Sequence, residues 1–130
     1  MNELSISKEV TGSVSQVCEQ LGEDLKTIGF GVLTQINFDE KIKEKLGETI
    51  KPCVILGACN PKLAFEAYKQ SSDVALMIPC NIAVTEIGPG RVKIEAIRPT
   101  AMLGFLKGVT ESDSMLKAER DLERVIQSLS

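Results

Sequence analysis

The sequence has 130 residues, long enough for one domain spanning residues 1–130, and its net charge of −3 argues against a nucleic-acid partner, which normally requires a basic surface. It contains no histidine, which excludes Ser-His and Cys-His catalysis and His-containing zinc sites. No stretch approaches the ~20 apolar residues of a membrane span and no signal peptide is evident, so we expect a cytoplasmic protein without membrane contact whose cysteines are free thiols.

The chain opens with a predicted strand and an amphipathic helix. Apolar residues of one parity predict a strand over residues 3–10. Ser13 and Gln16 have the spacing of a capping box, which predicts a helix start, and Gly29 is placed to end that helix. Cys18 lies within the apolar stripe of this helix. We interpret it as a core residue, because a free cysteine behaves as a small hydrophobic side chain.

The middle of the chain contains the segment around which the fold is predicted to form. Residues 30–38 alternate in polarity and predict a second strand, which a short polar helix follows. The continuous apolar run over residues 53–59 predicts a strand that is buried on both faces. Asn60 can then act as the N-cap of a helix whose first residue is Pro61 and which extends to about residue 70.

The last part of the chain predicts a hairpin and two helices. Apolar alternation predicts a strand within residues 74–87, and a Gly-Pro-Gly turn leads to a returning strand over 92–97. Residues 99–109 have helical spacing, and a final amphipathic helix begins near Asp113. The element order predicts an α/β (α+β) fold, a two-layer sandwich in which helices pack on a mixed sheet of about five strands.

The spacing of the cysteines limits the sites that they can form. Cys53 and Cys59 are six residues apart on one strand, hence roughly 20 Å apart, too far for a shared metal or disulfide. Cys59 and Cys80 remain as a possible pair, and each is followed by asparagine. Cys59 also precedes a helix start, where unpaired N–H groups stabilise a thiolate, so we expect a lowered pKa for this thiol.

Two segments carry a resemblance to a known family. The sequences of residues 57–64, Gly-Ala-Cys-Asn-Pro-Lys-Leu-Ala, and 78–84, Ile-Pro-Cys-Asn-Ile-Ala-Val, resemble the motifs of domain-of-unknown-function family 302. The entry to the second strand, residues 29–34, is also similar. The resemblance implies a small dimeric α/β domain without an assigned activity. Asn37 and Arg98 stand where the pattern of the family leads us to expect acidic residues.

We predict that the protein binds a ligand where the Cys-Asn motifs meet. The ligand would be a small molecule or an anion, or a soft metal ion such as Cu(I), for which Cys59 and Cys80 are the candidate ligands. The sequence identifies no cofactor. The predicted ligand-binding residues are Cys59, Asn60, Lys62, Cys80 and Asn81.

Two alternative functions and one quaternary structure also follow from these observations. In the first alternative, the protein is an enzyme with Cys59 as nucleophile, assisted by Lys62 or Glu66. In the second, it is a structural or oligomerisation domain whose cysteines all lie in the core. A homodimer is expected because the apolar segment 101–109 exceeds what one small domain needs beside its last helix.

Overall fold

The fold is built on a single sheet of five strands, as the computed structural model shows for residues 4–106 and 108–130. The strand order is β1-β5-β4-β3-β2, and each of the four pairings is antiparallel. The predicted two-layer α/β fold is confirmed, although the sheet is antiparallel rather than mixed. β1 and β2 run in the same direction but occupy opposite edges, so they never pair. The strands are β1 (Ser5–Thr11), β2 (Gly31–Asn37), β3 (Cys53–Cys59), β4 (Cys80–Gly88) and β5 (Arg91–Ile97).

Two long helices cover one face of the sheet and enclose the core. The side chains of Leu21, Leu25, Leu122 and Ile126 are almost completely buried against those of the strands. None of the described helices is long and apolar enough to cross a membrane. The helices are α1 (Val14–Lys26), α2 (Phe38–Leu46), α3 (Pro61–Gln70), α4 (Pro99–Leu103) and α5 (Asp113–Ser128), and a 3-10 helix spans Ser72–Met77.

Local sequence signals set most of the element boundaries. The capping box of α1 is present, with Ser13 Oγ accepting from the Gln16 backbone and Gln16 reaching back to Ser13. α1 ends at Lys26, one turn before Gly29, which adopts a positive φ in the turn that follows. α5 is capped by Ser112, whose Oγ accepts a hydrogen bond from the backbone of Met115. Residues 3 and 107, which belong to a predicted strand and helix, lie outside the described residues.

Two predicted elements differ from the structure. Of the strand predicted within residues 74–87, only the part from Cys80 onward forms, because residues 72–77 form a 3-10 helix that follows α3 after the extended Ser71. β2 contains a bulge between Val32 and Thr34. Since a bulge inserts one extra residue, Val32 and Ile36 lie on opposite faces of the sheet rather than on the same face.

Gly57, in the middle of β3, is packed so tightly that no side chain fits. A Cβ atom added there would lie 2.1 Å from Thr34 Oγ1 and 2.5 Å from Pro79 Cγ. Thr34 is its partner on β2, and Pro79 immediately precedes β4. The two neighbouring side chains therefore occupy the space above this glycine.

An ion-pair network joins the end of β5 to α5. Arg98 Nη2 lies 3.1 Å from Glu123 Oε1, and Arg98 Nη1 lies 3.6 Å from Glu119 Oε2. The side chains of Arg98 and Glu119 are only 17% and 15% exposed. Glu119 Oε1 also accepts hydrogen bonds from the backbone and hydroxyl of Thr100 in α4. Arg98, which departs from the expected family pattern, thus connects β5, α4 and α5.

The two edges of the sheet differ in their protection. At the β1 edge, Gln127 of α5 donates a hydrogen bond from Nε2 to the Ser7 carbonyl, and Lys8 donates to the Gln127 carbonyl. The β2 edge carries no charged residue, and Leu33 is 60% exposed there. Charged side chains and covering elements normally protect strand edges against pairing with other chains. The β2 edge therefore has less protection than the β1 edge.

Candidate functional site

The junction between β3 and α3 forms as the sequence predicts. β3 ends at Cys59, and Asn60 Oδ1 accepts a hydrogen bond of 3.3 Å from the backbone N–H of Leu63. Pro61 occupies the first helical position, where no N–H donor is needed. The side chain of Asn60 therefore serves as the N-cap of α3, which accounts for its presence without a ligand.

The sheet register brings the second Cys-Asn motif beside the first. Cys80 is the first residue of β4 and lies opposite Ala58 of β3, one residue from Cys59. Cys59 is 8% exposed, and Cys80 is half-buried. Both cysteines line one cavity at this end of the sheet. The two residues thus lie near each other in the fold, although they are far apart along the chain.

The cavity is small and mostly apolar. Its volume is about 70 Å³, and it lies between the sheet end, α3, α4 and the start of α5. No Lys or Arg side chain lines it among the described residues. Glu66 and Gln70 of α3 contribute polar groups to its wall. Its apolar and sulfur-bearing lining includes Phe30, Ala58, Leu63, Val74, Ile78, Met102, Leu103 and Met115.

The two thiols of the cavity are weaker acids than a free cysteine. Burial raises the pKa of the Cys59 thiol. Burial also raises the pKa of Cys80 to about 11, and the neighbouring charge of ionised Cys59 adds to this effect. The expectation of a lowered pKa at Cys59 is therefore wrong, because loss of water around the buried thiol outweighs the helix start. Both thiols are protonated at neutral pH.

Two of the predicted site residues lie away from the cavity. Lys62 is exposed on α3, and Asn81 is exposed on β4; neither lines the cavity. Asn81 follows Cys80 in the strand and so projects from the other face of the sheet. The structure thus brings together Cys59, Asn60 and Cys80 but does not add Lys62 or Asn81 to them.

The remaining two cysteines lie near the opposite end of β3. Cys18 packs against the core as predicted, and the pKa of its thiol is raised to about 11 by burial and by the charge of ionised Cys53. Cys18 borders an open groove of about 580 Å³ that also carries Glu19, Asp39 and Glu86. Within the described residues, no group of three or more His, Cys, Asp or Glu side chains could hold a metal ion. This groove therefore lacks the ligand set of a zinc or calcium site.

Sequence reasoning did not identify the methionines that line the cavity. Met102 of α4 and Met115 of α5 are 8% and 5% exposed, and both face the same space as the two cysteines. Their helical spacing indicates only that they are buried. Which cavity they line depends on the packing of α4 and α5 against the sheet end, for which the sequence contains no local signal.

These features define a class of protein, a two-layer α/β domain with an antiparallel sheet and a Cys-Asn motif at two neighbouring strand ends. The model of the family described as "Domain of unknown function DUF302" matches residues 6–129, and the chain belongs to that family. This confirms the resemblance drawn from the motifs.

A solved structure from the same family supports the assignment. It is the crystal structure of the uncharacterized conserved protein DUF302 from Bacillus stearothermophilus, which is 28% identical. The superposition has a TM-score of 0.77 and covers 98% of this chain and 95% of that chain. No curated protein matches the sequence.

Proposed function

We propose that the protein is a cytoplasmic binding domain that holds a small ligand or a soft metal ion in the cavity at the end of β3. The observation that carries the proposal is the meeting of Cys59 and Cys80 in one apolar cavity. The four free cysteines fit a reducing compartment. Because no cationic side chain of the described residues lines the cavity, an uncharged ligand or a cation fits it better than an anion.

The size of the cavity limits what it can bind. Pockets for drug-sized molecules have volumes of about 300–1,000 Å³, whereas this cavity has about 70 Å³. A ligand of a few atoms, or a single ion, therefore fits without rearrangement. A larger molecule would require α3 and α4 to move apart.

The enzyme alternative has less support than binding. A nucleophilic cysteine acts as a thiolate and is activated by a neighbouring base or a lowered pKa. Cys59 is buried, its pKa is raised, and Lys62 lies outside the cavity. Glu66 lines the cavity, but we expect it to have no catalytic role.

Binding in the cavity can be tested by NMR of the protein labelled with ¹³C at the methionine methyl groups. The probes are xenon, for an apolar ligand of minimal size, and Cu(I), for a soft ion. We expect at least one probe to shift the methyl signals of Met102 and Met115 in a saturable manner. Met77, which does not line the cavity, provides the internal control.

Two variants test whether these chemical-shift changes come from binding in the cavity. Ala64→Leu adds bulk to the cavity wall and should weaken binding, whereas Ala75→Leu, at an exposed position outside the cavity, should leave it unchanged. The proposal is overturned if neither probe shifts the two methyl signals of the wild-type protein. The cysteines would then be core residues of a structural domain.

We also propose that two copies associate through the edge of β2. Within the segment 101–109, which first suggested a homodimer, Met102 is buried while Phe105 remains 78% exposed. The β2 edge is the better candidate, because it combines an uncharged strand with exposed Val32, Leu33 and Ile36. Pairing there would satisfy free backbone groups and bury these side chains.

Sedimentation at micromolar concentration tests the dimer and its location. We expect wild-type protein to have twice the monomer mass of 14.1 kDa. Leu33→Lys places a charge on the strand edge and should give monomers, because charged residues oppose edge pairing. Phe105→Lys should remain dimeric. A monomeric wild-type protein would refute the dimer. If the Phe105→Lys variant were monomeric and the Leu33→Lys variant dimeric, association through the β2 edge would be refuted.

A further inference from the structure

The cavity at the end of β3 is lined by four sulfur-bearing side chains. Cys59 ends β3, Cys80 begins β4, Met102 belongs to α4 and Met115 lies in the first turn of α5. All four line the same cavity of about 70 Å³. Four separate elements thus contribute sulfur-bearing residues to the wall of one small cavity.

The side chains that cap the helices around this cavity already have hydrogen-bond partners and so do not require a polar ligand. Asn60 caps α3, and the hydroxyl of Ser112 caps α5. Among the described residues, no buried side-chain nitrogen or oxygen lacks a hydrogen-bond partner. Besides the carboxylate of Glu66, sulfur is therefore the main type of donor atom that the wall offers.

We propose that the cavity is a Cu(I) site in which Met102 and Met115 supply thioether ligands beside the thiols of Cys59 and Cys80. This inference rests on the proposed binding function and specifies its ligand. Thiolate and thioether sulfurs select Cu(I) over harder ions. The small volume matches an ion, and the apolar wall limits access of water to it.

The charges around the cavity also favour a cation. Cu(I) bonds to the sulfur of one cysteine as the thiol proton passes to water, and copper keeps its oxidation state. The positive ion and the single thiolate then cancel, and the carboxylate of Glu66 in the cavity wall adds further negative charge. No cationic side chain lines the cavity among the described residues, so a second thiolate would leave uncompensated negative charge in an apolar place.

Competition with the chromophoric chelator bicinchoninate, under anaerobic conditions, measures the affinity for Cu(I). Met102→Leu and Met115→Leu nearly preserve volume while removing the sulfur. We expect the double variant to bind Cu(I) at least about tenfold more weakly, because its thioether ligands are lost. Met77→Leu is the matched control and should bind as the wild-type protein does.

X-ray absorption of the copper-loaded protein provides a second measurement. The wild-type protein should show about four sulfur neighbours of copper, and the double variant about two. If the wild-type protein and the double variant had equal affinities for Cu(I) and equal numbers of sulfur neighbours, the thioether ligands would be refuted. Binding through the cysteines would not be affected by that result. Failure of Cu(I) to bind while xenon occupies the cavity would refute the copper site alone. Failure of both probes would refute the proposed function itself.

Discussion

Gly57→Ala should lower the free energy of unfolding by about 3 kcal/mol, at the upper end of the range for overpacked cores. The added methyl carbon would lie 2.5 Å from Pro79 Cγ and 2.1 Å from Thr34 Oγ1. The threonine side chain can rotate away, whereas the proline ring is fixed by its own backbone. The clash with the proline ring is therefore relieved only if β3 and the start of β4 move apart. Equilibrium denaturation in urea measures the loss.

Gly31→Ala is the matched control for this variant. Gly31 also lies in the sheet, but a Cβ atom there would meet nothing within 4 Å. We expect a change below about 1 kcal/mol, as for substitutions without a clash. Thr34→Ala should recover part of the loss in Gly57→Ala, because one of the two clashing groups is removed. A Gly57→Ala protein as stable as Gly31→Ala would contradict the close packing.

Arg98→Ala should lower the free energy of unfolding by about 2–3 kcal/mol, somewhat less than the loss of one partner from a fully buried pair. The substitution leaves the carboxylate of Glu119, which is 15% exposed, without its cation. It also removes the ion pairs that join the end of β5 to α5. Since α4 begins at the next residue, Pro99, the cavity wall formed by Met102 should become more mobile. Urea denaturation and the Met102 methyl signal measure the two effects.

Arg91→Ala provides a comparison at an exposed ion pair. Arg91 and Glu9 pair across β5 and β1 with both side chains more than half exposed, so its loss should cost less than about 1 kcal/mol. In a Glu119→Gln background, Arg98→Ala should cost much less than in wild type, because the carboxylate that then loses Arg98 is that of Glu123, which is 43% exposed. Equal costs of Arg98→Ala in both backgrounds would show that the ion pair contributes little.

Much of the fold follows from local signals in the sequence. Both ends of β3 and the start of α3 are predicted to the residue, because Asn60 and Pro61 mark the transition between the two elements. The β2 bulge and the 3-10 helix were not predicted. Both depend on contacts with residues distant in sequence, which patterns of alternation do not encode. The antiparallel order likewise depends on which strands become neighbours.

The candidate site could be predicted only in part, for a similar reason. The two Cys-Asn motifs point to neighbouring strand ends, and the register brings Cys59 and Cys80 together. Sequence reasoning placed Lys62 and Asn81 in the same group, although both are exposed and neither lines the cavity. It also predicted an acidic thiol from the helix start. The enclosing helices α4 and α5, which remove water from that thiol, come from a remote part of the chain.

The unequal sheet edges determine how large an assembly of this chain can grow. Because α5 contacts the outer side of β1 through Gln127, β2 is, among the strands of the described residues, the edge strand that remains available for pairing. Two copies that meet through β2 would form an isologous contact with a twofold axis and a continuous sheet of ten strands. Both outer edges of that sheet would be β1 strands already occupied by α5. Association is then closed at two subunits, and growth into an open filament, which requires two complementary free edges, is prevented.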